Sequence, residues 1–234
     1  MSGSPHYVFA PPPQVALPVA GSDKLFPVRR IYCVGRNYAE HAVEMGSDPN
    51  AEPPFFFQKN PDNLDISGTF PYPAASSDVH HEVELVVALA KGGTDIAVED
   101  ADACVFGYAV GIDMTRRDLQ GAAKKTGRPW EVGKAFERSA PVGPLFPAAG
   151  VGPLAGRTIT MAVNGEVRQR GSLDDMIWKV PQQIAYLSSL FALAPGDLIF
   201  TGTPAGVGPV QPGDVMVAEV SDLDRLEVTV TPRG

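Results

Sequence analysis

Glycine and proline interrupt this chain at short intervals, and they limit the length of every helix and strand. The 234 residues include 24 glycines and 23 prolines, whereas the two together make up only about 12% of an average protein. Hydrophobic residues account for 44% of the chain, which is enough for a packed core and argues against disorder. The surplus therefore indicates many turns between short strands. We expect a mainly β protein with short helices (α+β) and not a helical bundle.

The charge balance is acidic, with 19 Lys and Arg residues against 27 Asp and Glu residues and a formal net charge of −8. A protein that binds a phosphate backbone normally carries a basic patch, so we expect no nucleic acid partner. The chain begins without the basic and apolar segments of a signal peptide, and its apolar runs are too short to cross a membrane. We therefore expect a cytoplasmic protein without a membrane partner.

Cysteine is scarce, with only Cys33 and Cys104 in the whole chain. Two cysteines are too few for a disulfide framework or a cysteine-rich zinc site. Both lie in apolar runs, so we expect buried thiols in a reducing compartment.

The chain divides into a proline-rich start and one continuous domain. Residues 1–30 are expected to form an extended N-terminal arm, because their prolines prevent regular helix. Residues 31–234 show no repeat and no clear linker, so we expect a single catalytic domain there.

Apolar periodicity predicts the main elements of that domain. Strands are expected at residues 30–34, 80–89, 106–113, 158–163, 166–169, 197–201, 215–220 and 226–230. Helices are expected from Asn37 as N-cap to Gly46, over residues 115–125, and from Pro181 onward. The pair Asn164-Gly165 predicts a type I′ hairpin turn.

Two carboxylates lie inside an apolar strand pattern, at Glu82 and Glu84. Side chains alternate along a strand, so both project to one face while Val83 and Leu85 project to the other. A second apolar strand ends in a further carboxylate, Asp113. Three convergent carboxylates would form an oxygen-rich site that suits Mg²⁺, Mn²⁺ or Ca²⁺ better than Zn²⁺. The alternatives are the wet face of an edge strand and, for the third carboxylate, a helix cap.

Several other polar residues occur at spacings that fit a site. Arg117 and Gln120 share a helical face, and they also fit a solvated helix surface. Lys134 lies between a glycine and an apolar pair, which suits either an anion-binding group or a lysine whose stem packs on the surface. Each of these residues therefore has a structural alternative to a functional role.

A candidate general base lies on the first predicted helix. His41 and Glu44 are three residues apart, and a carboxylate beside a histidine orients the ring and raises its basicity. The alternative is an exposed ion pair. The glycine-rich segment 201–209 offers backbone amides and the Thr203 hydroxyl to a carboxylate, or is only a turn-rich connector.

Seven short segments follow one another along the chain: CVGRNYAEH (33–41), FFFQK (55–59), HEVE (81–84), DMT (113–115), GKAF (133–136), VNG (163–165) and TGTP (201–204). In this order they resemble the fumarylacetoacetate hydrolase family, and the resemblance spans about residues 30–232, most of the chain. The length is similar to that of its short acylpyruvate hydrolases. The proline-rich start, with Phe26-Pro27-Val28, looks most like the bacterial fumarylpyruvate hydrolases of gentisate and other aromatic breakdown.

The resemblance implies a mixed β-sandwich roll, a homodimer, and one Mg²⁺ or Mn²⁺ ion in each site. Glu82, Glu84 and Asp113 would be the metal ligands, and His41 with Glu44 would activate water. The other implied contacts are Lys134 and Gln120 at the reacting oxygens, Arg117 and Thr203 at the substrate carboxylate, and Arg36 and Lys59 as further substrate-binding residues.

The implied activity is metal-dependent hydrolysis of the carbon–carbon bond of an acylpyruvate. Fumarylpyruvate, which would give fumarate and pyruvate, is the expected substrate. Decarboxylation of oxaloacetate uses the same metal chemistry without the water, and it is the nearest alternative. Isomerisation or hydration of related 2-oxo acids is another, and a non-catalytic acidic binding domain is the remote one.

Overall fold

The computed structural model describes residues 6–44 and 53–233. Within these ranges the chain forms short strands and short helices. The strands are β1 (Ala16–Pro18), β2 (Leu25–Pro27), β3 (Arg30–Gly35), β4 (Phe55–Lys59), β5 (Leu64–Asp65), β6 (Thr69–Pro71), β7 (Val79–His81), β8 (Val83–Leu89), β9 (Val105–Ile112), β10 (Thr115–Arg116), β11 (Ala140–Pro141), β12 (Phe146–Pro147), β13 (Thr158–Val163), β14 (Glu166–Ser172), β15 (Asp197–Phe200), β16 (Gly208–Pro209), β17 (Val215–Val220) and β18 (Leu226–Thr231). The α-helices are α1 (Ala39–Glu44), α2 (Arg117–Lys125), α3 (Glu131–Lys134), α4 (Ala148–Val151) and α5 (Val180–Leu190).

Strand β8 lies inside a six-stranded sheet of order β12-β9-β8-β15-β3-β4. Its neighbours β9 and β15 are antiparallel to it, whereas β3 runs parallel to β15. All seven residues of β8 are buried. Val83 and Leu85 belong to one core cluster and Val86 and Ala88 to another, which confirms the predicted alternation. The alternative of a solvated edge strand is wrong.

Both faces of this sheet are covered. On one side lies a five-stranded sheet of order β14-β13-β17-β18-β6, whose Met161 and Met216 share a core cluster with Leu85. On the other side the β1–β2 hairpin contributes Leu17 and Phe26 to the second cluster. The expected mainly β architecture with short helices is confirmed.

The N-terminal segment differs from the extended arm expected from its prolines. No helix occurs in residues 6–30, as predicted, but residues 16–27 fold back as the β1–β2 hairpin. The hairpin is held because Leu17 is completely buried and Phe26 nearly so. Burying a side chain of this kind contributes about 1.5–3 kcal/mol.

Glu82 interrupts the strand that the sequence predicts over residues 80–89. The chain forms β7 before this residue and β8 after it. β7 leaves the large sheet and pairs with β10 and β16 in a small three-stranded sheet. Helix α2 starts at Arg117 and not at residue 115, because Thr115 and Arg116 pair with β7 as β10.

Local capping and turn predictions had mixed outcomes. Asn164 and Gly165 both have positive φ angles, 52° and 81°, as the predicted type I′ turn requires. Asn37 does not act as the predicted cap, because its side chain bonds the backbone of Trp178 and Thr201 instead. The predicted end of that helix at Gly46 lies outside the described residues.

Two further expectations concern burial and membranes. Cys33 and Cys104 are free and buried, as predicted. Among the helices of the described residues, none is long and apolar enough to cross a membrane.

Candidate active site

Three buried carboxylates converge where β7, β8 and β9 meet. Glu82 lies in the break between β7 and β8, Glu84 lies on β8, and Asp113 directly follows β9. The Asp113 amide donates to the Glu82 carbonyl over 2.8 Å. One carboxylate oxygen from each residue lies within 4.8 Å of the others. The alternative of a helix cap for Asp113 is not supported, because α2 begins only at Arg117.

The chemistry of this triad fits a hard divalent cation. All three side chains are 5% exposed or less, and a buried carboxylate is costly unless it is paired or coordinates a metal. Asp113 Oδ1 is buried and accepts no hydrogen bond. An all-oxygen donor set suits Mg²⁺, Mn²⁺ or Ca²⁺. The residues present therefore fit the metal that the sequence predicts.

Two lysines and one arginine offset the charge of the triad. Lys134 Nζ donates to Glu82 Oε2 over 2.8 Å, to Asp113 Oδ2 over 2.7 Å and to Thr115 Oγ1 over 2.7 Å. Arg117 Nη2 donates to Glu82 Oε1 over 2.5 Å. Three positive groups thus lie against three negative ones, counting Lys59 beside Asp113.

The three carboxylates are not equivalent. Burial alone would raise the pKa of Glu82, but the charges of Lys134 and Arg117 outweigh it and lower that pKa below its usual range. Burial, and then the charges of Asp113 and Glu82, raise the pKa of Glu84 well above its usual range. Burial lowers the pKa of Lys134, but the charges of Asp113 and Glu82 raise it overall. Lys134 is therefore an ammonium group and not a base at neutral pH.

Glu84 is held by the glycine-rich segment after β15. The Gly202 amide donates to Glu84 Oε2 over 2.7 Å. Gly202 has a φ angle of +98°, and a Cβ atom there would lie 2.7 Å from Asn37 Cβ. Only glycine fits this close approach, so the TGTP segment is more than a connector.

The predicted general base faces the same cleft. His41 Nδ1 lies 3.0 Å from Glu44 Oε2, and His41 is 5% exposed. This pairing fixes the proton on Nδ1 and leaves Nε2 as the acceptor. The alternative of a wholly exposed ion pair is wrong for His41, which is buried.

One cleft contains most of the predicted site residues. Aromatic side chains of Phe55, Phe57 and Trp130 form part of its wall. The predicted residues that line it are Arg36, His41, Glu82, Glu84, Arg117, Gln120, Lys134 and Thr203.

Lys59 is the predicted substrate-binding residue that the structure places elsewhere. Its ammonium lies behind Asp113, donates to the Met114 carbonyl over 3.2 Å and to Ser139 Oγ over 3.0 Å, and also bonds the Lys134 carbonyl. Lys59 is 2% exposed and is absent from the cleft lining. Its position is that of a support for Asp113 and Lys134.

The structure adds residues that the sequence interpretation missed. Lys124 and Trp130 line the cleft. Lys124 is seven residues after Arg117 and four after Gln120, so helical spacing alone would have placed it on their face. Gln169 bonds Thr203 from the opposite sheet, and no local pattern near residue 169 indicates this.

Fold and site together define a β-roll protein with three convergent buried carboxylates and a histidine–glutamate pair. Residues 30–231 match the family model described as fumarylacetoacetate (FAA) hydrolase C-terminal. The chain belongs to the fumarylacetoacetate hydrolase family.

Solved and curated relatives carry different activities. A crystal structure of fumarylpyruvate hydrolase from Pseudomonas aeruginosa in complex with Mn²⁺ and pyruvate matches with a TM-score of 0.95 and 52% identity, over 97% of this chain and 100% of that one. An oxaloacetate decarboxylase, mitochondrial, of Dictyostelium discoideum is 43% identical over 84% of this chain and 90% of its own length. An oxaloacetate tautomerase of Escherichia coli is 43% identical over 81% of this chain and 87% of its own length.

These likenesses confirm the resemblance and the fold of the fumarylacetoacetate hydrolase type. They also confirm the expected class, a hydrolase that acts on carbon–carbon bonds, at the level of the family. The remote alternative of a non-catalytic domain is thereby wrong.

Proposed function

We propose that this protein hydrolyses fumarylpyruvate to fumarate and pyruvate, with Mg²⁺ or Mn²⁺ held by Glu82, Glu84 and Asp113. The observation that carries the proposal is the His41–Glu44 pair, whose histidine lines the same cleft as Glu82 and Glu84. Hydrolysis needs a base for water, whereas simple decarboxylation does not. The solved relative with Mn²⁺ and pyruvate supports the metal and the product.

In this proposal His41 removes a proton from water and Glu44 stabilises the resulting imidazolium. The water oxygen bonds to the ketone carbon of the fumaryl group, and the carbon–carbon bond to the pyruvate methylene then breaks. The bonding electron pair leaves with pyruvate as its enolate, which takes up the proton held by the His41 imidazolium to give pyruvate and restore the base. A bound divalent ion acts as a Lewis acid that stabilises negative charge on the 2-oxo acid oxygens.

The other polar groups of the cleft stabilise the oxyanion and bind the substrate. Lys134, which stays cationic, stabilises the oxyanion that forms on the attacked carbonyl. Arg117 donates to Gln120 Oε1 over 2.7 Å, which leaves the Gln120 amide N–H groups as donors for a substrate oxygen. Thr203 is 2% exposed and lines the same cleft. Arg117 and Thr203 suit the carboxylate end of the substrate, and Gln120 suits the reacting oxygens.

The charge of the site favours a substrate with two negative groups. The three carboxylates are matched by Lys59, Lys134 and Arg117, so a divalent ion leaves the centre positive. Arg36 and Lys124 also line the cleft. Burial, and then the charges of Arg36 and Arg117, lower the pKa of Lys124, which places these cations in one patch. We assign Arg36 and Lys124 to the distal carboxylate of the fumaryl group.

Oxaloacetate is the second candidate substrate, for decarboxylation or tautomerisation. It is favoured by relatives at 43% identity with those names and by the same need to stabilise a pyruvate enolate. The His41→Asn variant separates hydrolysis from decarboxylation, because only hydrolysis needs the water-activating base. We expect its fumarylpyruvate hydrolysis to fall by about 10²–10⁴-fold, with any oxaloacetate decarboxylation largely retained. Equal loss of both activities would contradict a role for His41 in activating water.

A spectrophotometric substrate panel tests the proposal. Fumarylpyruvate, acetylpyruvate, fumarylacetoacetate and oxaloacetate are compared with Mn²⁺, with Mg²⁺ and with EDTA. We expect the highest kcat/KM for fumarylpyruvate and complete loss in EDTA. A higher value for oxaloacetate under every metal condition would overturn the assignment.

Three further properties belong to the same proposal. The protein is a homodimer, it functions in the cytoplasm, and its physiological metal is Mg²⁺ or Mn²⁺. Sedimentation velocity tests the first, and a twofold monomer mass supports it. Metal analysis of protein purified without chelator tests the last.

A further inference from the structure

Gln169 is a fully buried polar residue between two exposed arginines. Strands β13 and β14 pair with a register shift, in which Met161 faces Gln169 and Ala162 faces Val167. Arg168 is the extra residue of this β-bulge. Because residues two apart on a regular strand share a face, Gln169 would otherwise lie on the side of Val167, which is 49% exposed. The bulge instead turns Gln169 into the interior, where it is 0% exposed.

The amide of Gln169 joins the metal-binding strand to the TGTP segment. Its Oε1 accepts from the Val83 amide over 3.2 Å and from His81 Nδ1 over 2.9 Å. Its Nε2 donates to Thr203 Oγ1 and to the Pro204 carbonyl, each over 2.8 Å. A backbone N–H can only donate and a carbonyl can only accept, so these contacts fix which end of the amide is oxygen and which is nitrogen.

This arrangement determines how the Thr203 hydroxyl is used. Because Thr203 Oγ1 already accepts a hydrogen bond from Gln169, its own hydrogen is available to donate elsewhere. Thr203 lines the cleft beside Glu82 and Glu84. The loop that carries it also packs on the bulge, since a Cβ atom at Gly206 would lie 2.1 Å from the Arg168 carbonyl oxygen.

We propose that Gln169 is a positioning residue for substrate binding, which holds the Thr203 hydroxyl as a donor directed at the carboxylate of a 2-oxo acid. The proposal rests on the proposed function only for the identity of that ligand. Gln169 acts through Thr203 and does not touch the substrate.

Pyruvate binding to the Mn²⁺-loaded protein is the test, measured by calorimetry at about pH 8, where exposed carboxyl groups are ionised. Thr203→Val should raise the pyruvate Kd about tenfold, the loss of one hydrogen bond to a charged group. Thr203→Ser, which keeps the hydroxyl, is the matched control and should change the Kd by less than about twofold.

Gln169→Glu reverses the direction of the hydrogen bond to Thr203. A carboxylate can only accept, so it draws the Thr203 hydroxyl hydrogen away from the cleft. We expect the pyruvate Kd to rise about tenfold in the wild-type background and by less than about twofold in the Thr203→Val background. The added charge is present in both backgrounds, so its own effect cancels in the comparison. Equal effects in the two backgrounds would overturn the proposal.

Gln169→Met is a second variant, which keeps the length of the side chain but removes all four hydrogen bonds. It leaves the Thr203 hydroxyl free to rotate without attracting it, so it should weaken pyruvate binding less than Gln169→Glu. A merely structural role predicts the opposite order, because Gln169→Met leaves the Val83 amide without its acceptor. If Gln169→Glu does not fold, the effect of Gln169→Met on the pyruvate Kd is measured in the wild-type and Thr203→Val backgrounds instead. Equal effects in the two backgrounds would again overturn the proposal.

Pyruvate binding and fumarylpyruvate turnover by the wild-type protein distinguish a failure of the proposed function from a failure of the role of Gln169. Wild-type protein that binds pyruvate but leaves fumarylpyruvate intact contradicts the proposed reaction and leaves the role of Gln169 measurable. Wild-type protein loaded with Mn²⁺ that does not bind pyruvate overturns the role of Gln169 itself.

Discussion

Lys59 Nζ lies 2.8 Å from Asp113 Oδ1, and neither side chain is exposed to solvent. The lysine also donates to the carbonyls of Met114 and Lys134 and to Ser139 Oγ. Lys59 therefore supplies positive charge to Asp113, whose Oδ1 has no hydrogen-bond partner among the described residues. One oxygen of this carboxylate stays available as a metal ligand while its charge remains balanced.

Replacement of Lys59 by methionine tests this support. We expect the metal-free protein to lose about 3 kcal/mol of unfolding free energy, as for a broken buried ion pair. In a chain of this length that lowers the Tm by about 6–12 °C. Mn²⁺ should restore part of the loss, because it returns positive charge to Asp113. Thermal unfolding with and without Mn²⁺ measures both effects, and the exposed Lys24→Met is the control. An unchanged Tm in EDTA would contradict a supporting role.

Glutamine substitutions at the two glutamates should act in opposite directions on stability. In EDTA at neutral pH, Glu84→Gln should raise the Tm, because it removes a carboxyl group whose ionisation is opposed by burial and by the charges of Asp113 and Glu82. Glu82→Gln should lower the Tm, because Lys134 and Arg117 lose a buried partner. The expected loss of unfolding free energy is about 3 kcal/mol. Both variants should lose Mn²⁺ affinity in calorimetry. The same sign of Tm change for both would show that the carboxylates are equivalent.

The raised pKa of Glu84 predicts a pH dependence of metal binding. The pKa of Glu84 in the folded protein lies above its value of about 4.3 in the unfolded chain. The folded protein therefore loses stability as the pH rises from about 4.3 through the folded-state pKa, because the group must ionise there. Because the metal needs the carboxylate, Mn²⁺ affinity should fall as pH is lowered through that same folded value. Glu82, whose pKa is lowered, stays ionised over this range. Titration of Mn²⁺ in buffers of different ionisation enthalpy should show a proton released at the acid end. An Mn²⁺ affinity that does not change with pH would be inconsistent with this account.

Lys124 offers a test of substrate choice. Lys124→Met should lower kcat/KM for fumarylpyruvate about tenfold, because the distal carboxylate loses a charged partner. Acetylpyruvate carries no such group, and its kcat/KM should change by less than about twofold. Lys125→Met, one residue along the same helix and exposed, is the matched control. An equal loss for both substrates would place Lys124 outside the distal subsite.

Much of the site could be predicted from the sequence because its residues belong to short local patterns. The alternation around Glu84 and the strand that leads to Asp113 each indicated a carboxylate at a useful position. The break at Glu82 could not be predicted, because it depends on β7 leaving the large sheet to pair with β10 and β16. Local periodicity describes a strand and not its partners.

Long-range contacts account for the other differences between the sequence predictions and the structure. Asn37 has the residue type of a helix cap, but Trp178 and Thr201, distant in sequence, take its hydrogen bonds. Lys59 has a charge that suits substrate, but the topology places it behind Asp113. Gln169 acquires its role only through a bulge in β14 and the docking of a loop from the other sheet. Such roles follow from tertiary packing, which no window of the sequence contains.

The origin of the oxygen atom in the product tests the proposed hydrolysis most directly. Fumarylpyruvate is incubated with the Mn²⁺-loaded protein in ¹⁸O-labelled water, and the products are analysed by mass spectrometry. The account predicts equal amounts of fumarate and pyruvate, with one labelled oxygen in a fumarate carboxylate and no products in EDTA. Fumarylpyruvate that remains intact while the same preparation consumes oxaloacetate would contradict it.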